Sequence, residues 1–406
     1  MSCRMCKSKS LELVLDLGFH PPSDAFLKPE ELDQPETRYP LRVVVCRGCG
    51  LWQLDYVVDP KILYQKDYPY ESSMTATGRE HFREMAENIC RDFSVGAGAL
   101  AIDIGSNVGV LLEKFKTRGL RVLGVDPASI SSAAILRGVE TIPDFFTASL
   151  AQEIKRTRGE AAVVTGTNVF AHIDDLDDVL EGIRLLLSPR GVFVIEAPHL
   201  LRLVEKIEYD TIYHEHLSYL AVKPMARFVA EHGLELFDVA ARQIHGGTLR
   251  YFIARPGEHT VQSSVAEFIR AEEAEHLFEP NHMRQTFGGR VAHQRRELLA
   301  LLTNLKAQGK RIAGVSAPAK GSTLLNYCGI GPEHLDYVTE KSAQKIGRFI
   351  PGSHIRIEPD ETLIRDMPDY ALILAWNFAP EIMKNLDEYR KAGGKFIIPI
   401  PSPVIV

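Results

Sequence analysis

Two pairs of cysteines with identical spacing place the strongest restriction on how this chain can fold. The pairs are Cys3-x-x-Cys6 and Cys46-x-x-Cys49. A CxxC turn lets two thiolates bind one ion, and two such turns complete a tetrahedral shell of four sulfurs that leaves no position for water. The pairs are separated by 39 residues, more than the roughly 15–20 residues usual in zinc motifs of this kind. The pattern therefore predicts a small domain held together by structural zinc.

Composition narrows the class of protein. The chain has 406 residues, enough for two or three domains. Its net charge of −6 argues against a large nucleic-acid surface, which needs a basic face. The paired cysteines favour metal binding in a reducing cytosol over disulfides. The opening segment MSCRMCKSKS has no apolar signal region, and no apolar run reaches the roughly 18–20 residues of a membrane span. We expect a cytoplasmic protein that binds neither nucleic acid nor membrane.

A glycine-bearing turn follows the first buried strand of the middle region. The stretch ALAIDIGSNVGVLLEKF at 99–115 predicts a strand, a turn and a helix, and it contains Asp103, Gly105, Asn107 and Gly109. A second strand ends in Asp126, about twenty residues after Gly105, where an acid can bind ribose hydroxyls. The turn lacks the close glycine pair of GxGxxG. Its acidic-x-Gly-x-x-x-Gly pattern instead resembles motif I of class I S-adenosylmethionine-dependent methyltransferases.

The following strands place polar side chains at their carboxyl ends, which is where doubly wound sheets bind ligands. VETIPDFFTAS carries Asp144 and Phe145, which suit hydrogen bonding and stacking with adenine. AAVVTGTNVFAHIDDL supplies Asn168 and His172, and LLLSPRGVFVIEAP carries Glu196 at the end of its strand. Each of these residues could alternatively be a cap or turn residue. Together they predict a Rossmann-like methyltransferase domain that binds S-adenosylmethionine.

A second alternation of strands and helices follows the long polar helices predicted at 262–309. Residues 311–315 predict a strand that leads into Ser316-Ala-Pro-Ala-Lys320, and later apolar segments predict further strands. Lys320 and backbone amides at this helix start could hold a diphosphate, or the helix could begin there without a ligand. The predicted fold class is α/β, with a zinc-binding domain at 1–75, a methyltransferase domain at 76–255 and a second Rossmann-like domain at 256–406.

The order of motifs along the whole chain resembles that of the sugar C-methyltransferases of deoxysugar biosynthesis, which methylate a carbon of a nucleotide-linked 4-keto-6-deoxyhexose. The matching features are the two CxxC pairs, YPYxSS at 68–73, the glycine turn at 105–109, Tyr213-x-Glu215-His216, HGG at 245–247 and GVSAPAKGSTLLNYCGI at 314–330. Two positions depart from the family pattern, because Asp103 replaces a glutamate and Val108 replaces a second acid.

The resemblance assigns chemical roles that periodicity alone leaves open. It implies that His216 is the base that forms an enolate, with Glu215, Tyr213 and Tyr70 at the same site, whereas His214 has no role. From the residues alone, a solvated turn is the alternative, and two histidines with no further ligand pair give no closed metal shell. The residues assigned to substrate are Tyr68, His172, Glu196, His245 and Lys320.

The predicted reaction is base-catalysed C-methylation at C3, favoured over C5, of a nucleotide-linked 4-keto-6-deoxy sugar. The nucleotide is expected to be dTDP or another nucleoside diphosphate, and the C-terminal domain is expected to help bind it. The alternative function is an O- or N-methyltransferase of another small molecule. We expect S-adenosylmethionine and structural zinc as cofactors and a monomer or weak homodimer.

Overall fold

The computed structural model describes residues 1–64, 76–128, 131–244 and 246–406. The predicted site residues Tyr68, Tyr70 and His245 lie outside these ranges. Three β-sheets with packed helices account for the described fold. Among the described helices, none combines the length and apolar character that a membrane crossing requires.

The first sheet is antiparallel and has the strand order β1-β2-β3-β9. Its strands are β1 (Leu11–His20), β2 (Tyr39–Cys46), β3 (Trp52–Leu54) and β9 (Ser218–Tyr219). The run Val43–Val45 of β2 is buried, as expected for a β-branched segment at the centre of a sheet. The edge strand β9 comes from a distant part of the sequence and pairs Ser218 with Gln53. This pairing brings the segment around residues 212–219 against the cysteine-bearing domain.

The second sheet has the order β10-β11-β8-β7-β4-β5-β6. The strands β4 to β8 form its parallel part, and β10 and β11 complete it in antiparallel orientation. The bounds are β4 (Leu100–Ile104), β5 (Arg121–Val125), β6 (Thr141–Ile142), β7 (Ala161–Thr167), β8 (Leu187–Pro198), β10 (Glu235–Arg242) and β11 (Thr248–Ala254). Every residue of β4 is buried, because helices cover both faces of a parallel sheet.

The third sheet has the order β14-β13-β12-β15-β16-β17 and is parallel except for its last strand. Its strands are β12 (Ile312–Val315), β13 (Val338–Glu340), β14 (Ile357–Pro359), β15 (Tyr370–Ile373), β16 (Lys395–Ile398) and β17 (Val404–Ile405). The predicted α/β fold class, with two α/β domains after a small N-terminal sheet, is confirmed.

Helices connect and cover these sheets. Their bounds are α1 (Pro60–Tyr64), α2 (Ala76–Asp92), α3 (Val110–Thr117), α4 (Ser132–Leu136), α5 (Ala148–Arg158), α6 (Leu176–Leu186), α7 (Leu200–Lys206), α8 (Val222–Glu231), α9 (Ser263–Ala274), α10 (Pro280–Ala307), α11 (Ala319–Cys328), α12 (Glu361–Asp366), α13 (Ala379–Asn385) and α14 (Asp387–Lys391). The long helix α10 buries Phe287, Val291, Leu298 and Leu302 at spacings of one side of a helix. These residues share one core with strands of the first and third sheets, so α10 packs against both the N-terminal and the C-terminal sheet.

Candidate active site and zinc site

The four paired cysteines converge on one point. Their Sγ atoms all lie within 4.8 Å of one another, with 3.5 Å between Cys3 and Cys49 and 3.4 Å between Cys6 and Cys46. Zn–S bonds of about 2.3 Å in a tetrahedron place sulfurs roughly 3.8 Å apart, so the four sulfurs fit one zinc ion with little adjustment. A Cβ at Gly48 would lie 3.2 Å from the Cys6 Sγ, which explains the glycine inside the second turn.

The glycine turn after β4 is held by protein contacts on two sides. Gly105 has a φ of +70°, and a Cβ there would approach a Val169 side-chain carbon to 2.7 Å. The close neighbour of Gly105 is therefore a side chain of the protein itself. Asp126, at the end of β5, accepts hydrogen bonds from the backbone amides of Asn107 at 2.7 Å and Ala128 at 2.8 Å. The acid thus fixes the turn that precedes α3, whose first residue follows Gly109 (φ +80°).

Other residues predicted to bind the cofactor lie at neighbouring strand ends. The buried Asp103 accepts a hydrogen bond from the Thr165 hydroxyl at 2.6 Å, and burial raises the pKa of its carboxyl group to about 7. Asp144 accepts from the backbone amide of Phe145 at 2.7 Å, and Phe145 is 42% exposed. Asn168 follows β7 with a φ of +54°. These residues present turn amides, carboxyl groups and an accessible aromatic ring along one edge of the sheet.

His216 has a defined tautomer. Its Nδ1 lies 2.6 Å from the Thr211 carbonyl oxygen, and because a carbonyl can only accept, Nδ1 must carry the hydrogen. The Nε2 atom of the neutral ring is therefore left with its lone pair. Burial lowers the pKa of His216 to about 4, opposed by the Thr211 contact and assisted by the Lys320 cation. The imidazole is consequently uncharged at neutral pH, with Nε2 as a hydrogen-bond acceptor.

Two further rings surround His216. The Tyr213 ring centroid lies 4.0 Å from that of His216, and the His172 centroid lies 4.9 Å away. Burial and the neighbouring His216 hold the pKa of His172 well below its usual range. A small cavity lies beside the two histidines, and its walls include Asn168, Ala171, His172, Pro198, Leu200, Leu203, Thr211, His216, Ser218 and Tyr219. Thus residues 168–172, at the end of β7, and residues 211–219 meet at one cavity.

His214 and Glu215 have different surroundings. His214 is 1% exposed, and its ring packs edge-on against Tyr39 of the first sheet at 5.8 Å between centroids. The Glu215 carboxyl is also buried, and its pKa is raised well above the usual range by burial and by Asp24, against the opposing effect of Lys345. The three consecutive residues 214–216 therefore do not share one environment, and only His216 borders the cavity.

Sequence reasoning missed two acids just before this segment. Glu208 and Asp210 are buried, and Asp210 accepts from Trp376 Nε1 at 2.6 Å. Lys320 donates to Asn377 Oδ1 at 2.9 Å, and its Nζ lies 4.5 Å from the centre of the Trp376 ring. Burial lowers the pKa of Lys320, whereas Asp210 and Glu208 oppose that shift. The only sign in the sequence was the pair Glu208 and Asp210, which stand just before Tyr213. Groups that interact with these two acids lie in the C-terminal domain.

The carboxylate of Glu196, predicted to bind substrate, is occupied by protein groups. Arg250 donates to one oxygen through Nε at 2.8 Å and through a terminal nitrogen at 2.7 Å, and His81 Nε2 contacts the other oxygen. Glu196 and Arg250 are opposite each other in the pairing of β8 with β11. These contacts hold the pKa of Glu196 below its usual range despite burial. The arrangement does not favour a direct substrate contact by Glu196.

Comparison with known proteins agrees with this architecture. Residues 3–64 match the model of a zinc binding domain, residues 79–239 that of a methyltransferase domain and residues 243–401 that of a C-methyltransferase C-terminal domain. The C-methyltransferase NovU of Streptomyces niveus is 38% identical over 406 residues, which are 100% of this chain and 96% of that relative.

More distant relatives cover less than half of the chain. A ubiquinone biosynthesis O-methyltransferase of Acinetobacter baylyi is 26% identical over 177 residues, covering 39% of this chain and 72% of its own length. A solved structure of an S-adenosylmethionine-dependent methyltransferase from Clostridium acetobutylicum covers 44% of this chain and 92% of its own, at 13% identity and a TM-score of 0.36.

The matched middle domain first defines the class, that of the S-adenosylmethionine-dependent methyltransferases. Its residues fit that cofactor, since a glycine turn, an acid after β5 and an exposed aromatic ring after β6 lie along one sheet edge. Within this class, the full-length similarity to NovU shows that the chain belongs to the C-methyltransferases that carry an N-terminal zinc-binding domain. The predicted enzyme class and both predicted cofactors are confirmed.

Proposed function

We propose that this enzyme methylates a ring carbon next to the ketone of a nucleotide-linked 4-keto-6-deoxy sugar, at C3 in preference to C5. The observation that carries the proposal is the tautomer of His216, whose Nδ1 is held by the Thr211 carbonyl while Nε2 keeps its lone pair. A carbon becomes nucleophilic only after its proton is removed, so C-methylation needs a positioned base. A hydroxyl or amine substrate has a lone pair already and does not need an enolate.

His216 has the position and the charge state expected of that base. Its low pKa keeps the imidazole unprotonated at neutral pH, and its position beside the cavity allows it to take the proton as the C–H electrons pass into the enolate. The neutral His172, which borders the same cavity, is assigned to a sugar oxygen. Bound S-adenosylmethionine supplies an electrophilic methyl group. Tyr213, Glu215 and Tyr70 are assigned to the same site on the family resemblance.

Cofactor binding is assigned to the edge of the second sheet. The proposed residues are Asp103, Gly105, Asn107, Gly109, Asp126, Asp144, Phe145 and Asn168. The support is the braced turn between β4 and α3 together with the exposed Phe145 ring, which offers a stacking surface for a purine.

The nucleotide end of the substrate is assigned to the C-terminal domain. Lys320 lies in the first turn of α11, where backbone amides and a cation can attract phosphate oxygens. The buried carboxyl group of Glu208 opposes that attraction only when ionised, and burial raises its pKa to about 7. Tyr68 and His245 are retained as substrate residues on the resemblance alone. The domain division at 75 and 255, a cytoplasmic location and a monomeric or weakly dimeric state also remain part of the proposal.

Hydrogen exchange tests this proposal directly. A dTDP-4-keto-6-deoxyhexose is incubated in deuterated water with the enzyme and S-adenosylhomocysteine, and proton NMR follows each ring hydrogen against a control without enzyme. We expect enzyme-dependent loss of the C3 signal, and His216→Asn should abolish it. Exchange at C5 would correct the regiochemistry. Absence of any exchange, together with methyl transfer to oxygen or nitrogen when S-adenosylmethionine replaces S-adenosylhomocysteine, would contradict the proposal and favour the alternative function.

A further inference from the structure

Arg4 occupies an unusual position in the zinc-binding turn. It follows the zinc ligand Cys3 and is 3% exposed. Its backbone amide donates to Gln53 Oε1 at 2.9 Å, so the turn is anchored to β3. A buried guanidinium is costly unless its hydrogens find acceptors. The contacts of this side chain are therefore informative about why a cation is placed there.

The guanidinium of Arg4 contacts both segments that carry the active-site histidines. One terminal nitrogen donates to the Leu217 carbonyl at 3.1 Å, directly after His216, and to the Leu54 carbonyl at 3.0 Å. Its Nε donates to Asp174 Oδ1 at 2.8 Å, and Asp174 lies two residues after His172. One side chain thus connects a zinc-bound turn to two segments whose histidine rings are 4.9 Å apart.

We propose that Arg4 is a positioning residue that holds the His172 and His216 segments in register, so that the structural zinc determines the geometry of proton abstraction. This inference rests on the proposed function, because it assigns Arg4 an effect through His216. Bound zinc would fix the backbone around Cys3 and Cys6, and the guanidinium would restrain the two segments that it contacts, at Asp174 and Leu217. A displacement of about 1 Å in a reacting group can reduce the rate by roughly 10²-fold.

A neighbouring ion pair provides a matched control. Lys7 of the same turn contacts Asp177 at the start of α6, and Asp177 also contacts His232 at 3.0 Å. This pair crosses the same boundary between the zinc-binding and methyltransferase domains, three residues from Asp174. It contacts neither Leu217 nor the residues next to His172. Lys7 also donates to the Arg4 backbone carbonyl at 2.8 Å. Asp174→Asn and Asp177→Asn are therefore the same chemical change at one interface, with and without a direct contact to the Arg4 guanidinium.

The experiment compares Arg4→Met, Arg4→Lys, Asp174→Asn and Asp177→Asn in the full-length zinc-loaded enzyme. Zinc content is measured by metal analysis, and affinity for S-adenosylhomocysteine is measured by calorimetry. The turnover number kcat is measured with a dTDP-4-keto-6-deoxyhexose as the substrate. We expect Arg4→Met to keep its zinc and cofactor affinity but to lose roughly 10- to 100-fold in kcat. Arg4→Lys should lose less, Asp174→Asn a few-fold, and Asp177→Asn nothing. The acid limb of kcat/KM should move to higher pH in Arg4→Met, because a loosened cavity hydrates His216.

A double variant separates this inference from the proposed function. If Arg4 acts through His216, adding Arg4→Met to His216→Asn should change the residual turnover less than about twofold. Multiplicative losses, or equal losses in Asp174→Asn and Asp177→Asn, would overturn the positioning role. Normal turnover of Arg4→Met with a defective His216→Asn would overturn it alone, whereas normal turnover of His216→Asn would overturn the proposed base. Should Arg4→Met prove insoluble, the two aspartate variants decide, since unchanged kcat in Asp174→Asn refutes the role.

Discussion

The turns at the ends of β4 and β12 have the same brace but different residues. In the second sheet, Asp126 at the end of β5 accepts from the Asn107 amide at 2.7 Å. In the third sheet, Glu340 at the end of β13 accepts from the Ala317 amide at 2.8 Å. Each brace joins the acid of one strand to the turn after the neighbouring strand. The common geometry therefore reflects how both turns are stabilised, and the chemistry depends on what each turn leaves accessible.

The difference lies in the side chains. The first turn has glycines with positive φ at both ends, Gly105 and Gly109. A Cβ there would collide with Val169 or crowd Ala134 and Val139, so the turn stays compact and offers mainly backbone groups. The second turn uses Ser316 at a φ of +69° and continues into Pro318 and Lys320. The second turn therefore presents the positively charged side chain of Lys320 in addition to backbone groups. The comparison teaches that a glycine turn suits a cofactor held by backbone groups, whereas the second turn suits a charged substrate group.

The largest expected effect tests whether the chemistry belongs to the second sheet. His216→Asn should reduce turnover by roughly 10²–10⁴-fold, the range for a positioned acid or base, with unchanged affinity for S-adenosylhomocysteine. Steady-state kinetics and calorimetry measure the two quantities. His214→Asn should cost far less, since the His214 ring packs against Tyr39. An equal or larger loss of kcat in His214→Asn or Lys320→Met would contradict the division between the two turns.

The next expected effect is that of Gly105→Val, which should weaken cofactor binding by the first turn. The new Cβ would approach a Val169 carbon to 2.7 Å, and the φ of +70° is strained for any side chain. The left-handed conformation alone costs roughly 1–2 kcal/mol, so affinity for S-adenosylhomocysteine should fall by roughly 5- to 30-fold. Calorimetry measures it, with Ser316→Gly as the control at the corresponding positive φ of the second turn. Unchanged affinity in Gly105→Val would remove the cofactor from this turn.

Removing the two braces should separate the functions of the turns. Asp126→Ala deletes the acceptor of two backbone amides and the proposed ribose acceptor, so cofactor binding should weaken by roughly 1.5–3 kcal/mol. Glu340→Ala deletes the acceptor of the Ala317 amide and should lower thermal stability while leaving cofactor affinity intact. Calorimetry and thermal unfolding of both variants test this. If Glu340→Ala weakened cofactor binding as strongly as Asp126→Ala, the two turns would not be functionally distinct.

The smallest expected effect is a change in pH dependence, caused by the influence of Lys320 in the second turn on the pKa of His216. The acid limb of kcat/KM reports the base of the free enzyme, and His216 has a pKa of about 4. Activity should therefore hold well below pH 6.5. Because the Lys320 cation helps to lower that pKa, Lys320→Met should raise it and move the acid limb to higher pH. A pH–rate profile of the two enzymes measures the shift, and a limb that stays in place would show that Lys320 does not influence His216.

Local features were predictable from the sequence. The cysteine turns, the glycine turn and the two α/β domains depend on residue type and spacing within short segments, so their patterns were sufficient. The different environments of His214 and His216 were not, because both histidines have the same period in a strand and only tertiary packing distinguishes them. Asp210 was missed because its partner Trp376 lies in another domain. The contact of Arg250 with the Glu196 carboxylate could not be predicted either, because it depends on the register of β8 against β11, which places Arg250 opposite Glu196.

The pairing of β9 with β3 has a consequence for how the chain acquires its structure. Trp52 and Gln53 expose a strand edge until Ser218 and Tyr219 have been synthesised and delivered to it. During translation the cysteine-bearing domain therefore emerges as an open sheet and must wait for most of the methyltransferase domain, since non-local pairing pays loop-closure entropy first. An isolated fragment of residues 1–64 would keep that edge bare, a site for unwanted association between chains.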